Sequence, residues 1–433
     1  MVRARDGESR SGETDTGMSR LALSDGDREA RNWFVATTES LGCSTTVDSM
    51  GNIFAVKKGK YKGPPTVVGS HLDTQPTGGR YDGILGVCAG VEMLRVLHEE
   101  KIETRFPVGV INWTNVACSE EGARFPISMV SSGVWAGQIP LEQAYSLQEV
   151  GGGKQTMKQE LERIGYLGTM ESSFSAMPIA ASSIAHFELH IEQGPRLESQ
   201  EQKIGVVHGV QAYRWHTIQV NGRDCHTGTT DFANRSDAML TAAKMILHSH
   251  RLATKHSCLA STGILTLKPG STNTVPGFVR FSLDIRAGED DRLMMLEHEL
   301  KVDFDKIAKN EAVDDLSESG TIGRGCTVEW TLDAPSEAIE FDENCIRCVD
   351  ESARDLFGDE YEKFTQAMIS GAGHDSVFCS KVAPTSMIFV PCRDGVSHNP
   401  TEYCSPTDCM NGAQVLMGAV LRYDVLRAQR SSM

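Results

Sequence analysis

A short apolar run, Val67-Val68-Gly69-Ser70, ends in His71-Leu72-Asp73, and a glycine-rich turn through Gly78 and Gly79 leads on to Asp82-Gly83. Histidine can offer a neutral ring nitrogen to a metal, and an aspartate two residues on can hold the other ring nitrogen, the supporting part expected of Asp73. Asp82 brings a carboxylate that two cations can share. Glu120-Glu121, His190 and His398 supply more of the same chemistry farther along. His71, Asp82, Glu121, His190 and His398 together form a mixed imidazole and carboxylate set suited to zinc, manganese, cobalt or nickel. Asp82 is the choice for the bridge, because the other four then divide into two sets. Cations so held lower the pKa of a bound water from about 15.7 towards neutrality. Such a water still needs a base. Neighbours in an extended segment point opposite ways, so Glu121 can bind metal while Glu120 faces the water. Glu120 would take the proton and hand it to a leaving nitrogen. Taken singly, a glutamate pair is usually a solvated face and a lone histidine usually structural. His186, His208, His216, His248, His250, His256 and His298 are read that way. The five candidates stand apart because they recur in order at strand ends.

The elements that must position them follow from periodicity. Residues 66–69 read as a core strand, whose exit is where open α/β sheets place their chemistry. Ser24 can cap a helix running to about Leu41, and residues 48–57 alternate like one strand. Residues 83–99 carry Ile84, Val87, Val91, Leu94 and Leu97 at helical spacing, and residues 108–113 form another core strand. In residues 186–192 the polar His186, Glu188, His190 and Glu192 alternate with Phe187, Leu189 and Ile191, which places His190 on a polar face. From about Val206 the pattern becomes strand 213–220, helix 231–250, strands 261–267 and 275–285, helix 290–307 and strand 327–331. That β-α-β-β-α-β order predicts a ferredoxin-like domain. It reads as an insertion because candidate metal residues resume after it. A final helix is expected over 408–428. The fold expected is α/β: a catalytic domain with a mixed, mainly parallel sheet over 18–207 and 334–433, and an inserted α+β domain over 208–333.

Composition narrows the class. At 433 residues the chain is too long for one simple core. The net charge of −16 argues against nucleic acid or an anionic membrane as partner. No stretch is long and apolar enough to span a bilayer, and residues 1–17, rich in charged and small polar types, read as a disordered tail. The twelve cysteines lack framework spacing, which suits a reducing, cytoplasmic setting. Cys345-x-x-Cys348 has no second pair and reads as two helical cysteines.

The blocks G-S-H-L-D-T-Q-P-T-G-G-R-Y-D-G (69–83), S-E-E-G-A-R-F (119–125), H-I-E-Q-G-P (190–195), H-T-G-T-T (226–230), S-T-N-T-V-P-G (271–277), L-D-I-R (283–286), G-A-G-H-D (371–375) and G-V-S-H-N-P-T-E (395–402) resemble the amidase branch of the M20 metallopeptidase family. That branch holds the N-carbamoyl-amino-acid hydrolases, allantoate amidohydrolase and the fungal-type β-ureidopropionases. The resemblance runs from about Ser19 to the C-terminus, and H-L-D-T-Q-P looks most like the β-ureidopropionase type. It implies two divalent metal ions, zinc first, on His71, bridging Asp82, Glu121, His190 and His398, with Glu120 as base. It implies Gln193 at the substrate's polar end, Gly395 in a loop touching the substrate, and His226, Asn273 and Arg286 from the inserted domain. His226 would stabilise an oxyanion, and Arg286 would clamp a carboxylate through its planar guanidinium. The inserted domain would act as a lid and form a homodimer. The expected reaction is hydrolysis of a small ureido acid, N-carbamoyl-β-alanine first, with N-carbamoyl-L-α-amino acids and allantoate as near alternatives. A peptidase or aminoacylase on the same scaffold, and a non-catalytic binding protein, are the rivals. Three departures bear on substrate choice: Asp231-Phe232 where relatives often have proline, Ala117-Cys118-Ser119 before the glutamate pair, and the first 18 residues.

Overall fold

The computed structural model describes residues 17–116, 124–176, 185–311, 313 and 323–431. The expectations for the tail, for Glu120 and for Glu121 fall on residues outside these. The chain divides into two compact units, one built from residues up to Gly209 together with Glu340 onward, the other from Val210–Ile339.

The first unit is built on a mixed sheet. Its strands run in the order Ser44–Val47, Ile53–Lys57, Val108–Trp113, Thr66–His71, Ala185–Ile191, Thr385–Val390, Ile204–Val210 and Ile339–Glu340, with Thr365–Ser370 also pairing on Ile204–Val210. The central four are parallel to one another, and antiparallel neighbours flank them. Parallel strands buried on both faces need apolar residues on both. Val68 and Val110 accordingly enter the core shared with helices Ile84–Glu99, Glu343–Phe357 and Pro406–Ser431. Val67, Ile111 and Trp113 point the other way, into a cluster with Met129, Trp135 and Cys379. The four parallel strands therefore exit at one edge of the sheet, where the candidate ligands must gather.

Local chemistry sets the element ends. Ser24 caps helix Asp25–Ser40 by accepting the Asp27 amide, and Thr156 and Gln159 form a reciprocal capping box on Met157–Ile164. The single strand expected over 48–57 is instead the turn and second arm of a hairpin. The buried Asp48 carboxylate accepts the Met50 and Asn52 amides, each at 2.9 Å, and Gly51 takes φ +78°. The eleven described cysteines are unpaired. Cys345 and Cys348 are buried on one helix, where burial pushes both thiols up, Cys348 to about 11.

The second unit is a five-stranded antiparallel sheet ordered Leu265–Lys268, Phe278–Ala287, Ala212–Asn221, Thr327–Ser336, with Leu259–Ser261 pairing beside Phe278–Ala287. Helices Ala238–Lys255 and Asp290–Ala308 share one core with it. In sequence order the strands stand 4-1-3-2, the ferredoxin-like arrangement. The first helix starts later than expected because Asp237, accepting the Leu240 amide at 2.9 Å, is its cap. Asp231 caps a separate single turn, Phe232–Asn234.

Candidate metal centre

His71 ends its strand, and His190 is the penultimate residue of the neighbouring one. The parallel register that pairs Thr66 with Ala185, continued along the strands, sets the two histidines side by side, with ring centroids 6.3 Å apart. Asp82 sits in the turn before helix Ile84–Glu99. Its Oδ1 lies 3.1 Å from His190 Nε2 and 3.8 Å from His71 Nε2, and its Oδ2 lies 3.4 Å from His398 Nε2. Three imidazole nitrogens thus converge on one carboxylate, two on one oxygen and one on the other. Among the described residues, His71, Asp82 and His190 lie within metal-holding distance of one another. His71 Nδ1 is 2.8 Å from the Asp73 carbonyl and His190 Nδ1 2.9 Å from the Ile191 carbonyl. An Nδ1 proton donated to each carbonyl leaves the Nε2 lone pair free for a cation. The Gly83 amide nitrogen lies 3.1 Å from His190 Nε2, in position to share that atom when no cation is bound. Gly83 has φ +68°, and a Cβ there would fall on the His71 ring.

The electrostatics agree with a cation site. Burial opposes the charge on Asp82, but His190, His398 and His71 hold it well below the usual carboxylate range. Burial likewise opposes protonation of His190, yet the Asp82 hydrogen bond and charge, with help from Glu188, lift it to about 9. His398 is raised by its hydrogen bond to Asp82. A carboxylate this anionic, ringed by nitrogens, holds either protons or metal.

Other expected residues are placed as follows. The partner of His71 Nδ1 is the main-chain oxygen of Asp73, not its carboxylate, which accepts the Val116 amide at 3.2 Å. Asp73 thus supports His71 as expected, through its backbone, while its side chain holds the Val116 amide. Gln193, with φ +58°, directs Nε2 to Ser397 Oγ at 3.0 Å, 3.2 Å from His398 Nε2 and 3.4 Å from Asp82 Oδ1. Gly395 packs against the main chain of Gly194 and Pro195. The polar face of Ala185–Ile191 is buried rather than solvated: Glu188 accepts hydroxyls from Ser70 at 3.0 Å and Ser376 at 2.6 Å.

In the second unit, His226 and Asn273 come together. Cys225–His226 pairs with Thr274–Val275, and the Thr227 amide donates to the Asn273 carbonyl at 3.0 Å. Arg286 does not join them. It stands eight residues beyond Phe278 on its strand, roughly 27 Å at about 3.4 Å per residue. There it pairs with Asp284, Nη2 to Oδ2 at 2.7 Å, and lies over the Tyr213 ring.

Sequence reasoning passed over Glu402 and His374. Glu402 Oε1 accepts the Tyr81 and Asp82 amides. His374 packs edge-on against His190 at 4.6 Å and is held neutral by burial and by the His190 charge. Both lie in motif blocks already singled out, and His374 stands with Glu188 and His190 in a second buried group within metal-holding distance.

Residues 67–422 match peptidase family M20/M25/M40. The chain is 37% identical over 408 residues to the N-carbamoyl-L-amino-acid amidohydrolase of Rhizobium meliloti, covering 94% of this chain and 91% of that one. It is 33% identical over 410 residues to the ureidoglycolate hydrolase of Oryza sativa subsp. japonica, covering 94% and 80%. Among solved structures it resembles a hydantoinase/carbamoylase family amidase from Burkholderia multivorans, with a TM-score of 0.83 and 39% identity over 95% of this chain and 94% of that one. With this fold, this sheet edge and these relatives, the chain belongs to the metal-dependent peptidase family M20/M25/M40, in its hydantoinase/carbamoylase amidase branch, and is a hydrolase of carbon–nitrogen bonds in linear amides.

Proposed function

We propose that the protein cleaves an N-carbamoyl amino acid to the amino acid, carbon dioxide and ammonia. The observation that carries this reading is the convergence of His71, His190 and His398 on Asp82, in a chain that aligns almost end to end with an N-carbamoyl-L-amino-acid amidohydrolase. N-carbamoyl-L-α-amino acids are the first substrate class, since several of the similar relatives bear that name. N-carbamoyl-β-alanine is the second reading, on the H-L-D-T-Q-P block. The two differ by one methylene in the spacer between the carbamoyl group and the carboxylate, worth only about 1–3 kcal/mol in a pocket.

His71, His190 and Asp82 would hold one divalent cation, and Asp82, His398 and Glu121 the other, zinc first, with manganese, cobalt or nickel as alternatives. Bound there, such cations supply Lewis acidity to the carbamoyl oxygen and acidify a water. Glu120 takes the water's proton and delivers it to the departing nitrogen. Water adds to the carbamoyl carbon, the C–N bond to the amino acid breaks, and the released carbamate falls to ammonia and carbon dioxide. His226, with Asn273, donates to the oxyanion as it develops, Gln193 orients the ureido group, and Arg286 pairs with the carboxylate. Arg286 lies roughly 27 Å along its strand from Phe278, the end nearer in sequence to Asn273, and a ureido acid is far shorter than that. Arg286 and the His226–Asn273 pair therefore serve different copies of the site, which supports a homodimer. The eleven described cysteines, none paired with another, support a reducing, cytoplasmic setting.

Ammonia release from protein reconstituted with each metal, on N-carbamoyl-L-alanine, N-carbamoyl-β-alanine, allantoate and a dipeptide, tests the assignment. A preference for one ureido acid supports it. Dipeptide cleavage alone would move the protein to the peptidases of the same family.

A further inference from the structure

Glu402 is 2% exposed and joins three segments that carry site residues. Its Oε1 accepts the amides of Tyr81 at 2.9 Å and Asp82 at 3.0 Å. Its Oε2 accepts the Ser397 hydroxyl at 2.9 Å, and that hydroxyl oxygen accepts the Gln193 amide at 3.0 Å. Gly79 leaves the necessary room, because a Cβ there would fall on the Glu402 side chain. One carboxylate thus links the turn bearing Asp82 to the loop bearing His398, and through Ser397 to the turn bearing Gln193.

The two proposed metal positions are not equally supported. His71 and His190 are buried at the ends of adjacent strands, each with its own carbonyl partner. The His398 side chain is 43% exposed, on a loop, with φ +53°. Its spacing from Asp82 depends on what ties that loop down. We infer that Glu402 is a positioning residue that fixes the distance between Asp82 Oδ2 and His398 Nε2, and so sets metal affinity at the second position while leaving the His71–His190 position nearly unchanged. This rests on the two-metal reading of the site.

The test uses the full chain as wild type, Glu402→Ala, Glu402→Gln and Ser397→Ala. Cobalt is titrated and followed by visible absorption, with metal content, thermal midpoint, kcat and KM measured alongside. Wild type should take two equivalents. Glu402→Ala should keep the first within about twofold and bind the second about 10–100-fold more weakly, the usual effect of losing a ligand's supporting partner. Its kcat should recover in excess metal. Glu402→Gln should restore most of the second affinity, since its carbonyl still accepts both amides and its NH2 can donate to Ser397 Oγ. Ser397→Ala, which spares the Asp82 contact, should weaken the second equivalent by less than Glu402→Ala does. The inference is overturned if folded Glu402→Ala binds both equivalents like wild type, weakens both equally, or is not rescued by glutamine. If Glu402→Ala does not fold, an unchanged second affinity in Ser397→Ala overturns it. A wild type that takes only one equivalent overturns the two-metal reading, and this inference with it.

Discussion

Replacing Gly395 by alanine separates a residue that touches substrate from one that holds two loops together. The sequence suggested the first role, but the packing points to the second. Gly395 has φ +66°, and a Cβ built on it lies 2.5 Å from Pro195 N and 2.7 Å from Gly194 C and Pro195 Cδ. All three are main-chain or ring atoms, so none can rotate away. Ordinary contact begins near 3.4 Å, so the loops must part by about 0.7–0.9 Å. Left-handed backbone costs a non-glycine residue roughly 1–2 kcal/mol, and overpacking a further ~1–3 kcal/mol. We expect Gly395→Ala to lose about 2–5 kcal/mol of stability. His398 is three residues on, and Gln193 immediately precedes Gly194. A shift of this size exceeds the roughly 0.2 Å tolerance of a metal–ligand distance. Urea unfolding and metal content measured together, followed by kcat and KM, decide the matter. The variant should unfold earlier, carry less than its full metal, and lose at least tenfold in kcat when metal is limiting. A variant with wild-type stability and full metal but a raised KM would refute the packing argument and return Gly395 to the substrate.

Glu120→Gln at full metal occupancy should lower kcat by about 10²–10⁴, the usual worth of a positioned base; turnover within a few-fold of wild type would remove Glu120 from the mechanism. Arg286→Ala should raise KM for ureido acids about 10–100-fold, as expected for losing one charge-assisted contact of about 1.5–3 kcal/mol; an unchanged KM would remove Arg286 from the substrate site. Burial pushes the His186 imidazole down to about 3. Between pH 6.5 and about 3 the unfolded ring takes a proton that the folded ring refuses, so stability falls as pH falls. The loss is about 2 kcal/mol at pH 5, taking 1.36 kcal/mol per pH unit below 6.5. Denaturant unfolding of His186→Gln between pH 7.5 and 5 should therefore show a shallower pH slope than wild type, whatever its absolute stability, and parallel slopes would contradict the burial argument. Dialysis against a chelator should abolish ammonia release and lower the thermal midpoint, with both regained on adding a divalent cation.

The parts that read well from sequence are those whose chemistry and periodicity are local. His71 closes an apolar run and His190 lies next to the end of an alternating strand, and parallel pairing brings such strand ends to one edge without further information. The inserted unit was legible because its strands and helices alternate in a recognisable order. Even the separation of Arg286 from Phe278 was implicit in a ten-residue strand, since Phe278–Ala287 must carry its ends far apart. What escaped was pairing between distant segments. Glu402 meets Tyr81 across 321 residues, and a glutamate four places after a histidine gives no sign of that. Main-chain partners are equally silent: nothing in the letters His-Leu-Asp tells whether the aspartate serves through its carboxylate or its carbonyl, and here it is the carbonyl. The carboxylate is thereby left free to accept the Val116 amide at the exit of strand Val108–Trp113. One residue thus fixes a histidine with its backbone and a neighbouring strand exit with its side chain. Substituting Asp73 by alanine should accordingly leave the main-chain support of His71 in place and release the Val116 amide from this contact.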